Sequence, residues 1–245
     1  MDNENKIDYK KALAYWADIP ATVDGVLGGF GFISDMDIEG SKLFLKSLFA
    51  LENRPEAHDA IDCGAGIGRI TKFLLIPNFQ QVDIIEPDEK FLSTVSDFVG
   101  EDKKKIGRLY NVSLQEFDPD KKYDVFWNQW VLGYLTDDDL ISYLVRCRNA
   151  LTERGVIVVK ENVTSSGQSE MDTIDSSVTR SLKQFLNIFK AAKLKRMKQC
   201  KQTNFPNGIY PVYMFALVPS EAREVNKNHN VDTDHPVSNH DHNVA

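Results

Sequence analysis

The chain has 245 residues, a formal net charge of −7 and 42% hydrophobic residues, which is enough apolar content for one large packed domain. The mild acidity gives no basic surface of the kind that binds nucleic acid, and no apolar run reaches the roughly 18–20 residues of a membrane span. The polar start predicts that there is no signal peptide. Three widely spaced cysteines, Cys63, Cys147 and Cys200, argue against a disulfide framework or a zinc site and indicate a reducing compartment.

The N-terminal region predicts helices around a glycine-rich loop. Residues 7–16 are predicted to form a short helix, and residues 22–33, TVDGVLGGFGFI, a loop. A second helix is predicted over residues 34–51, because its apolar side chains recur at helical spacing. These side chains are Phe44, Leu45, Leu48 and Phe49.

From residue 60 onward, predicted strands and helices alternate. The strands are predicted at 60–63, 81–86, 108–112, 123–128, 156–160, 194–202 and 212–218. The helices are predicted at 69–75, 88–98, 136–150 and 176–192. This alternation indicates an α/β fold with a mostly parallel sheet covered by helices on both faces. The short turn between the last two strands favours an antiparallel pair at one edge.

Residues 219–245 are polar and lack hydrophobic periodicity, which predicts a disordered tail. Four of the five histidines lie there: His229, His235, His240 and His242. A metal site in this tail is a weaker interpretation than a solvated segment, because no scaffold would fix the geometry of the ligands. We therefore predict no metal.

The most informative motif is IDCGAGIGRITK, which places Asp62 before Gly64, Gly66 and Gly68. A glycine turn after the first strand lets a ligand approach the backbone and the N–H groups of the next helix. The third position of the dinucleotide fingerprint would be Arg69, which weakens a pyrophosphate interpretation. Glu86, at the end of the next strand, can accept hydrogen bonds from both hydroxyls of a ribose. The alternative is a turn that only packs helix against strand, with Glu86 solvated.

Five segments in order resemble the protein N-terminal α-amine methyltransferase family: TVDGVLGGFGFIS, IDCGAGIGRITK, NQWVLGYLTD, KEN and MDTIDSSVTR. The family uses S-adenosylmethionine (SAM) to methylate the free α-amine of proteins that begin X-Pro-Lys or X-Pro-Arg after removal of methionine. The resemblance implies a Rossmann-like class I methyltransferase fold with seven strands, extra N-terminal helices and a substrate-side hairpin. It also implies one domain over residues 1–218, with an N-terminal extension at 1–57 and a SAM-binding core at 58–218.

The resemblance also implies site residues. The methionine portion of SAM is assigned to Gly64, Arg69 and Gln129, the ribose to Glu86, and the adenine to Leu114 and Gln115. The family usually has Asp where this chain has Glu86. The walls of the peptide groove would be Trp16, Leu27, Trp130, Ile209 and Tyr210. Structural roles are the alternatives here: a surface charge for Arg69, core packing for Leu114 and for the aromatic residues.

Asn162 and Asp175 match the residues that contact the amine. An α-amine has a pKa of about 7.7–8.0, against about 10.4 for lysine, so it needs little deprotonation near neutrality. Asn162 can fix the direction of the lone pair, and Asp175 can accept the proton directly or through water. A helix N-cap is the alternative for Asp175. Asp172 and Glu170 would form an acidic rim for the substrate Lys or Arg, or else an ordinary solvated loop.

The chain departs from the family where a histidine is the proposed base elsewhere. Tyr134 stands in that position, and Phe32 replaces another frequent histidine. His58 is the only histidine outside the tail. A tyrosine is a poor base near neutrality but can hold a water or the amine. We therefore expect Tyr134 to assist while Asp175 and water take the proton.

Two other functions stay open from the sequence. One is a SAM methyltransferase for another protein site or a small molecule, and the other is a non-catalytic adaptor. For the leading function we expect protein N-termini as partners, no nucleic acid and no membrane, and a monomer or weak homodimer. Cytoplasm and nucleus are the expected compartments. The number of methyl groups added stays open.

Overall fold

The computed structural model describes residues 7–220 and places nine strands in that part of the chain. They are β1 Asp59–Cys63, β2 Gln81–Ile85, β3 Ile106–Tyr110, β4 Tyr123–Gln129, β5 Leu151–Asn162, β6 Glu170–Asp172, β7 Ser177–Thr179, β8 Leu194–Lys201 and β9 Val212–Pro219. Each of the seven strands predicted from the sequence is present, with shifts of a few residues at some ends. β5 is longer than predicted, because it begins at Leu151.

Seven of these strands form one sheet in the order β3-β2-β1-β4-β5-β9-β8. The pairs among β3, β2, β1, β4 and β5 are parallel, whereas β9 runs antiparallel to β5 and β8. The predicted mostly parallel sheet with an antiparallel edge is thus confirmed. The strand order reverses between β1 and β4, and in open α/β sheets the ligand crevice lies outside the carboxyl ends of the strands at such a point.

Helices cover both faces of the sheet. The α-helices are α1 Tyr9–Asp18, α2 Val23–Val26, α3 Ser34–Phe49, α4 Ile76–Asn78, α5 Glu89–Val99, α6 Asp137–Asn149 and α7 Leu182–Ala191. Neighbouring residues of one strand enter different cores, because side chains alternate along a strand. Ile61 packs in the core that contains α6 and α7, whereas Ala60 packs in the core that contains α3 and α5.

The N-terminal elements are capped by side chains of the chain itself. The Asp8 carboxylate accepts hydrogen bonds from the first amides of α1, and Thr22 caps α2. At the other end of α1, the Lys90 ammonium donates to the carbonyl oxygens of Ala17 and Ile19 at 2.6 and 2.5 Å. The predicted loop at 22–33 is therefore partly helical, since it contains α2 and a 3-10 turn at Gly31–Ile33.

The predicted helix over 176–192 is wrong in its first six residues. Ser176 has a φ of 60°, and Ser177–Thr179 form β7, which pairs antiparallel with β6. The helix α7 begins only at Leu182, with Ser181 as its N-cap. The β-branched Val178 and Thr179 favour the strand, and the two strands supply the hairpin that the family resemblance implies.

Of the predicted tail, the structure describes only Pro219, which ends β9, and Ser220. The rest of the tail, with its four histidines, lies outside the described residues. Among residues 7–220, no helix combines the length and the apolar composition needed to cross a bilayer.

Candidate active site

The glycine motif forms a bare turn at the carboxyl end of β1. Gly64, Gly66 and Gly68 have φ values of 71°, 58° and 85°, which side chains rarely allow. The Gly64 amide donates to the carbonyl of Ile85 at 2.9 Å, so the turn is fixed to β2. A Cβ atom at Gly64 would lie 2.3 Å from Cγ2 of Val131. The turn must therefore lack side chains to fit between its neighbours.

Glu86 follows β2 and reaches across to the glycine turn. Its Oε2 accepts a hydrogen bond from the Gly66 amide at 2.7 Å, and its Oε1 accepts one from the Asp88 amide at 2.9 Å. Burial raises the pKa of Glu86 to about 7, although the two amides lower it. The structure thus places Glu86 beside the turn, as a buried carboxylate with lone pairs left for hydroxyl donors.

A cleft of about 1070 Å³, counted with its open mouth, lies above the turn. All six predicted cofactor-binding residues line it: Gly64, Arg69, Glu86, Leu114, Gln115 and Gln129. Three residues predicted for the peptide groove line it as well: Trp16, Leu27 and Trp130. Tyr134, which is predicted to assist in catalysis, is also in the lining. Leu114 also belongs to the core, and the Arg146 guanidinium holds its carbonyl at 2.9 Å.

Arg69 is not a surface charge, because only 4% of the residue is exposed. Its Nη1 donates to Oδ2 of Asp37 at 2.7 Å, and its guanidinium carbon lies 5.7 Å from the centre of the Trp130 ring. The other guanidinium nitrogens make no hydrogen bond within the described residues, so they remain for a ligand in the cleft. A planar guanidinium suits a carboxylate partner.

Asp37 was missed by the sequence interpretation. It is fully buried and also accepts from Gln129 Nε2 at 2.9 and 2.8 Å and from Lys160 Nζ at 2.5 Å. Asp37 lies in the first turn of α3, where an acidic side chain is common because it stabilises the helix N-terminus, so the sequence alone did not single it out. The signal for it was Lys160, because a lysine inside the apolar run VIVVK is buried only with a partner.

The segment that carries Trp130 and Tyr134 is held from both sides by buried charges. Oε1 of Glu161 accepts from the amides of Val131 and Leu132 at 2.9 and 2.8 Å. Arg180 donates to the Leu132 carbonyl at 2.7 Å and to the Leu135 carbonyl. These two positioning side chains come from β5 and from the end of the hairpin, and sequence spacing gave no sign of either contact.

Tyr134 contacts a predicted partner directly. Its hydroxyl donates to Oδ2 of Asp175 at 2.7 Å, and its ring lies edge-on to Trp16 with 6.0 Å between ring centres. Burial and the Asp175 carboxylate raise the pKa of Tyr134 far above its usual value, so the phenol keeps its proton. Oδ1 of Asp175 accepts from the Ser177 amide at 3.0 Å in a turn, so the helix N-cap interpretation of Asp175 is wrong.

The other predicted site residues are not in the lining of the cleft. Asn162 ends β5 and is half-buried, and its side chain makes no hydrogen bond within residues 7–220. The next amide, of Val163, donates to the Pro211 carbonyl at 2.8 Å, which brings the segment with Ile209 and Tyr210 beside Asn162.

The acidic residues lie on the hairpin. Oε2 of Glu170 accepts from the Tyr210 hydroxyl at 2.7 Å. Asp172 is exposed, and its Oδ1 accepts from the Ile174 amide at 2.7 Å. The hairpin therefore joins the Tyr210 segment to Asp175, while the hydrogen bond between Asp175 and Tyr134 joins it to the cleft.

The residues of the cleft fit SAM. Glu86 offers a carboxylate to ribose hydroxyls, Arg69 has donors left for a carboxylate, and the glycine turn leaves no side chain in the way. Leu114 and the aromatic wall supply apolar contact for a base.

Comparisons with known proteins identify the family of the chain. Residues 4–218 match the family described as AdoMet dependent proline di-methyltransferase. The chain is 46% identical over 212 residues to the N-terminal Xaa-Pro-Lys N-methyltransferase 1-A of Xenopus laevis, which covers 85% of this chain and 94% of the relative. It is 46% identical over 214 residues to the alpha N-terminal protein methyltransferase 1 of Drosophila melanogaster, covering 86% of this chain and 76% of the relative.

Solved structures give the same result. A SAM-dependent methyltransferase from Leishmania major superposes with a TM-score of 0.80 at 37% identity, over 85% of this chain and 82% of that chain. A SAM-dependent methyltransferase from Clostridium acetobutylicum shares the fold alone, with a TM-score of 0.60 at 14% identity over 80% of this chain and 100% of that chain. The chain therefore belongs to the AdoMet-dependent proline di-methyltransferase family and is a SAM-dependent methyltransferase with the class I fold.

Proposed function

We propose that this protein methylates the free α-amine of proteins that begin X-Pro-Lys or X-Pro-Arg after removal of the initiator methionine. Two relatives, from Xenopus laevis at 46% identity and from Rattus norvegicus at 44% identity, carry the name N-terminal Xaa-Pro-Lys N-methyltransferase. The observation that carries the proposal is the hydrogen bond between Tyr134 and Asp175, because Tyr134 lines the cleft and Asp175 is the carboxylate that we propose contacts the amine.

The cofactor is held by residues that already line the cleft. Arg69 and Gln129, both bonded to Asp37, would hold the methionine portion of SAM together with the backbone of Gly64. Glu86 would accept the ribose hydroxyls, and Leu114 and Gln115 would contact the adenine. When bound, SAM supplies an electrophilic methyl group on its sulfonium.

The amine is prepared by positioning rather than by a strong base. The Asn162 amide oxygen would accept one N–H bond and direct the lone pair toward the cleft. Asp175 would take the proton directly or through water, because an amine with a pKa of about 7.7–8.0 gives it up easily near neutrality. Tyr134 cannot be the base, since it keeps its proton and points it at Asp175.

Recognition of the first residues would use the walls around this pair. Trp16, Leu27 and Trp130 line the cleft, and Ile209 and Tyr210 lie in the segment beside Asn162. Proline packs well on such aromatic faces, and a methylated ammonium gains cation–π attraction. The exposed Asp172 would face the Lys or Arg at the third position, with Glu170 beside it.

Cytoplasm and nucleus are the proposed compartments, and a monomer or weak homodimer the proposed assembly. The three cysteines, Cys63, Cys147 and Cys200, are all free thiols, which suits a reducing compartment.

Two peptides test the proposal. One begins Ser-Pro-Lys with a free α-amine, and its twin is N-acetylated. Each peptide is incubated with purified protein and SAM, and mass spectrometry detects the added methyl groups. We expect methyl groups on the free peptide alone. No gain on either peptide, with binding of S-adenosylhomocysteine (SAH) intact by calorimetry, would instead favour another substrate or the adaptor function.

A further inference from the structure

Four side chains form a buried polar cluster under the cleft, which we name the Asp37 cluster: Asp37, Arg69, Gln129 and Lys160. Asp37 is fully buried and stands at its centre. Arg69 and Lys160 each form an ion pair with its carboxylate, at 2.7 and 2.5 Å. Gln129 donates to both carboxylate oxygens. Two of the four members, Arg69 and Gln129, also line the cleft.

Lys160 makes the contacts of an ammonium: burial lowers its pKa, and the Asp37 carboxylate opposes that shift. Besides the Asp37 carboxylate, its Nζ donates to the Asp37 carbonyl at 2.9 Å and lies 2.9 Å from Ser41 Oγ. It also donates to Oε1 of Gln202 at 3.0 Å. Gln202 is fixed with this oxygen toward Lys160, since its Nε2 donates to the carbonyls of Met36 and Thr203.

The cluster carries two cations and one anion. A buried excess charge is costly unless another opposite charge approaches it. The only member with both positive charge and access to the cleft is Arg69. Asp62 is a carboxylate in the lining that is not part of the cluster, and its Oδ2 accepts a hydrogen bond from the Thr71 hydroxyl at 2.6 Å. The Asp37 cluster thus presents its excess positive charge to the cleft through Arg69, and Asp62 provides a separate carboxylate in the lining, which matches the zwitterionic end of an amino acid.

We propose that Asp37 and Lys160 are positioning residues that make the cleft select ligands with the α-carboxylate of SAM. Asp37 fixes the orientation of Arg69 and Gln129, and Lys160 offsets the charge of Asp37 so that the charge of Arg69 remains available to the ligand. Without Lys160, Asp37 and Arg69 would form a neutral pair with weaker attraction for a carboxylate. The proposal rests on the placement of SAM proposed above.

Calorimetry with two ligands tests this selection. SAH has the amino acid end, whereas 5′-deoxy-5′-methylthioadenosine keeps the nucleoside and lacks the carboxylate. We expect Lys160→Met to weaken SAH binding about tenfold or more and to change methylthioadenosine binding less than about twofold. Lys160→Gln removes the charge while keeping polar contacts to Ser41 and Gln202, and carries the same expectation if the Met variant does not fold.

A double variant separates charge from packing. Asp37→Asn combined with Lys160→Gln restores the original net charge, so the preference for SAH over methylthioadenosine should recover most of the loss seen in Lys160→Gln. Equal weakening of both ligands in the single variants, or unchanged SAH affinity, would overturn the proposal. Neither ligand involves the peptide, so a wrong protein substrate would leave these results unaffected.

Discussion

The hydroxyl of Tyr134 donates a hydrogen bond to Oδ2 of Asp175, with 2.7 Å between the oxygens. The other carboxylate oxygen accepts from the Ser177 amide. Both oxygens of Asp175 are therefore oriented by neighbours, and the tyrosine that replaces the family histidine acts as a donor to this carboxylate. In the proposed reaction this carboxylate is an acceptor of modest strength, which would be sufficient for an amine that is partly neutral at pH 7.

Replacing Asp175 by Asn should remove the proton acceptor while keeping a side chain of the same size. We expect kcat for a Ser-Pro-Lys peptide to fall about 100-fold, within the usual contribution of general bases. The dissociation constant of SAH, measured by calorimetry, should change less than about twofold. Unchanged turnover would show that Asp175 does not take the proton.

Tyr134 can be tested with two substitutions of opposite character. Tyr134→Phe removes only the hydrogen bond to Asp175 and should lower kcat a few-fold. Tyr134→His introduces a group that titrates near about 6.5, so it should add activity on the acidic side of the pH–rate profile. In the unaltered protein the rate should instead rise with pH toward the pKa of the substrate amine. Identical profiles for all three proteins would contradict this role.

Glu86 should couple cofactor binding to pH. Burial raises its pKa from 4.5 to about 7. The ionised carboxylate accepts ribose hydroxyls best, so SAH affinity should weaken as pH falls below about 7. Glu86→Gln should bind SAH more weakly at pH 8 and lose this pH dependence. A pH dependence that persists in the Gln variant would assign it to another group.

The same shift affects stability with a defined sign. Between pH 4.5 and about 7 the folded protein keeps a proton that the unfolded chain has released. The stabilisation from this proton is complete below pH 4.5 and is lost as pH rises through about 7. Urea denaturation at pH 5 and pH 8 gives the free energy of unfolding of both proteins. The value for Glu86→Gln minus the value for the unaltered protein should be about 2 kcal/mol larger at pH 8 than at pH 5. Burial also raises the pKa of Glu161 to about 7, but Glu161 is present in both proteins, so its contribution to this difference cancels.

Asp172 should determine the charge preference at the third position. Asp172→Asn is expected to raise KM for a Ser-Pro-Lys peptide several-fold and leave kcat nearly unchanged, because the residue is exposed and is proposed to contact only the third residue of the substrate. A Ser-Pro-Gln peptide serves as the control, since it has no charge to lose. Equal effects on both peptides would indicate a general disturbance of the hairpin.

Local patterns predicted much of this structure, and contacts between distant segments explain what they missed. The glycine turn and Glu86 follow from motifs within a few residues of a strand end. Asp37 and Lys160 are 123 residues apart, and no local pattern reports such a pair. The predicted start of α7 is wrong because residues 177–179 pair with β6, which depends on hairpin formation rather than on helical propensity.

The position of the added methyl groups distinguishes α-amine methylation from methylation of a side chain. A Ser-Pro-Lys peptide has both an α-amine and a lysine ε-amine, so tandem mass spectrometry of the product can separate them. We predict that every methyl group lies on the fragment that contains the N-terminal residue. Methyl groups on the lysine fragment would contradict the proposed reaction.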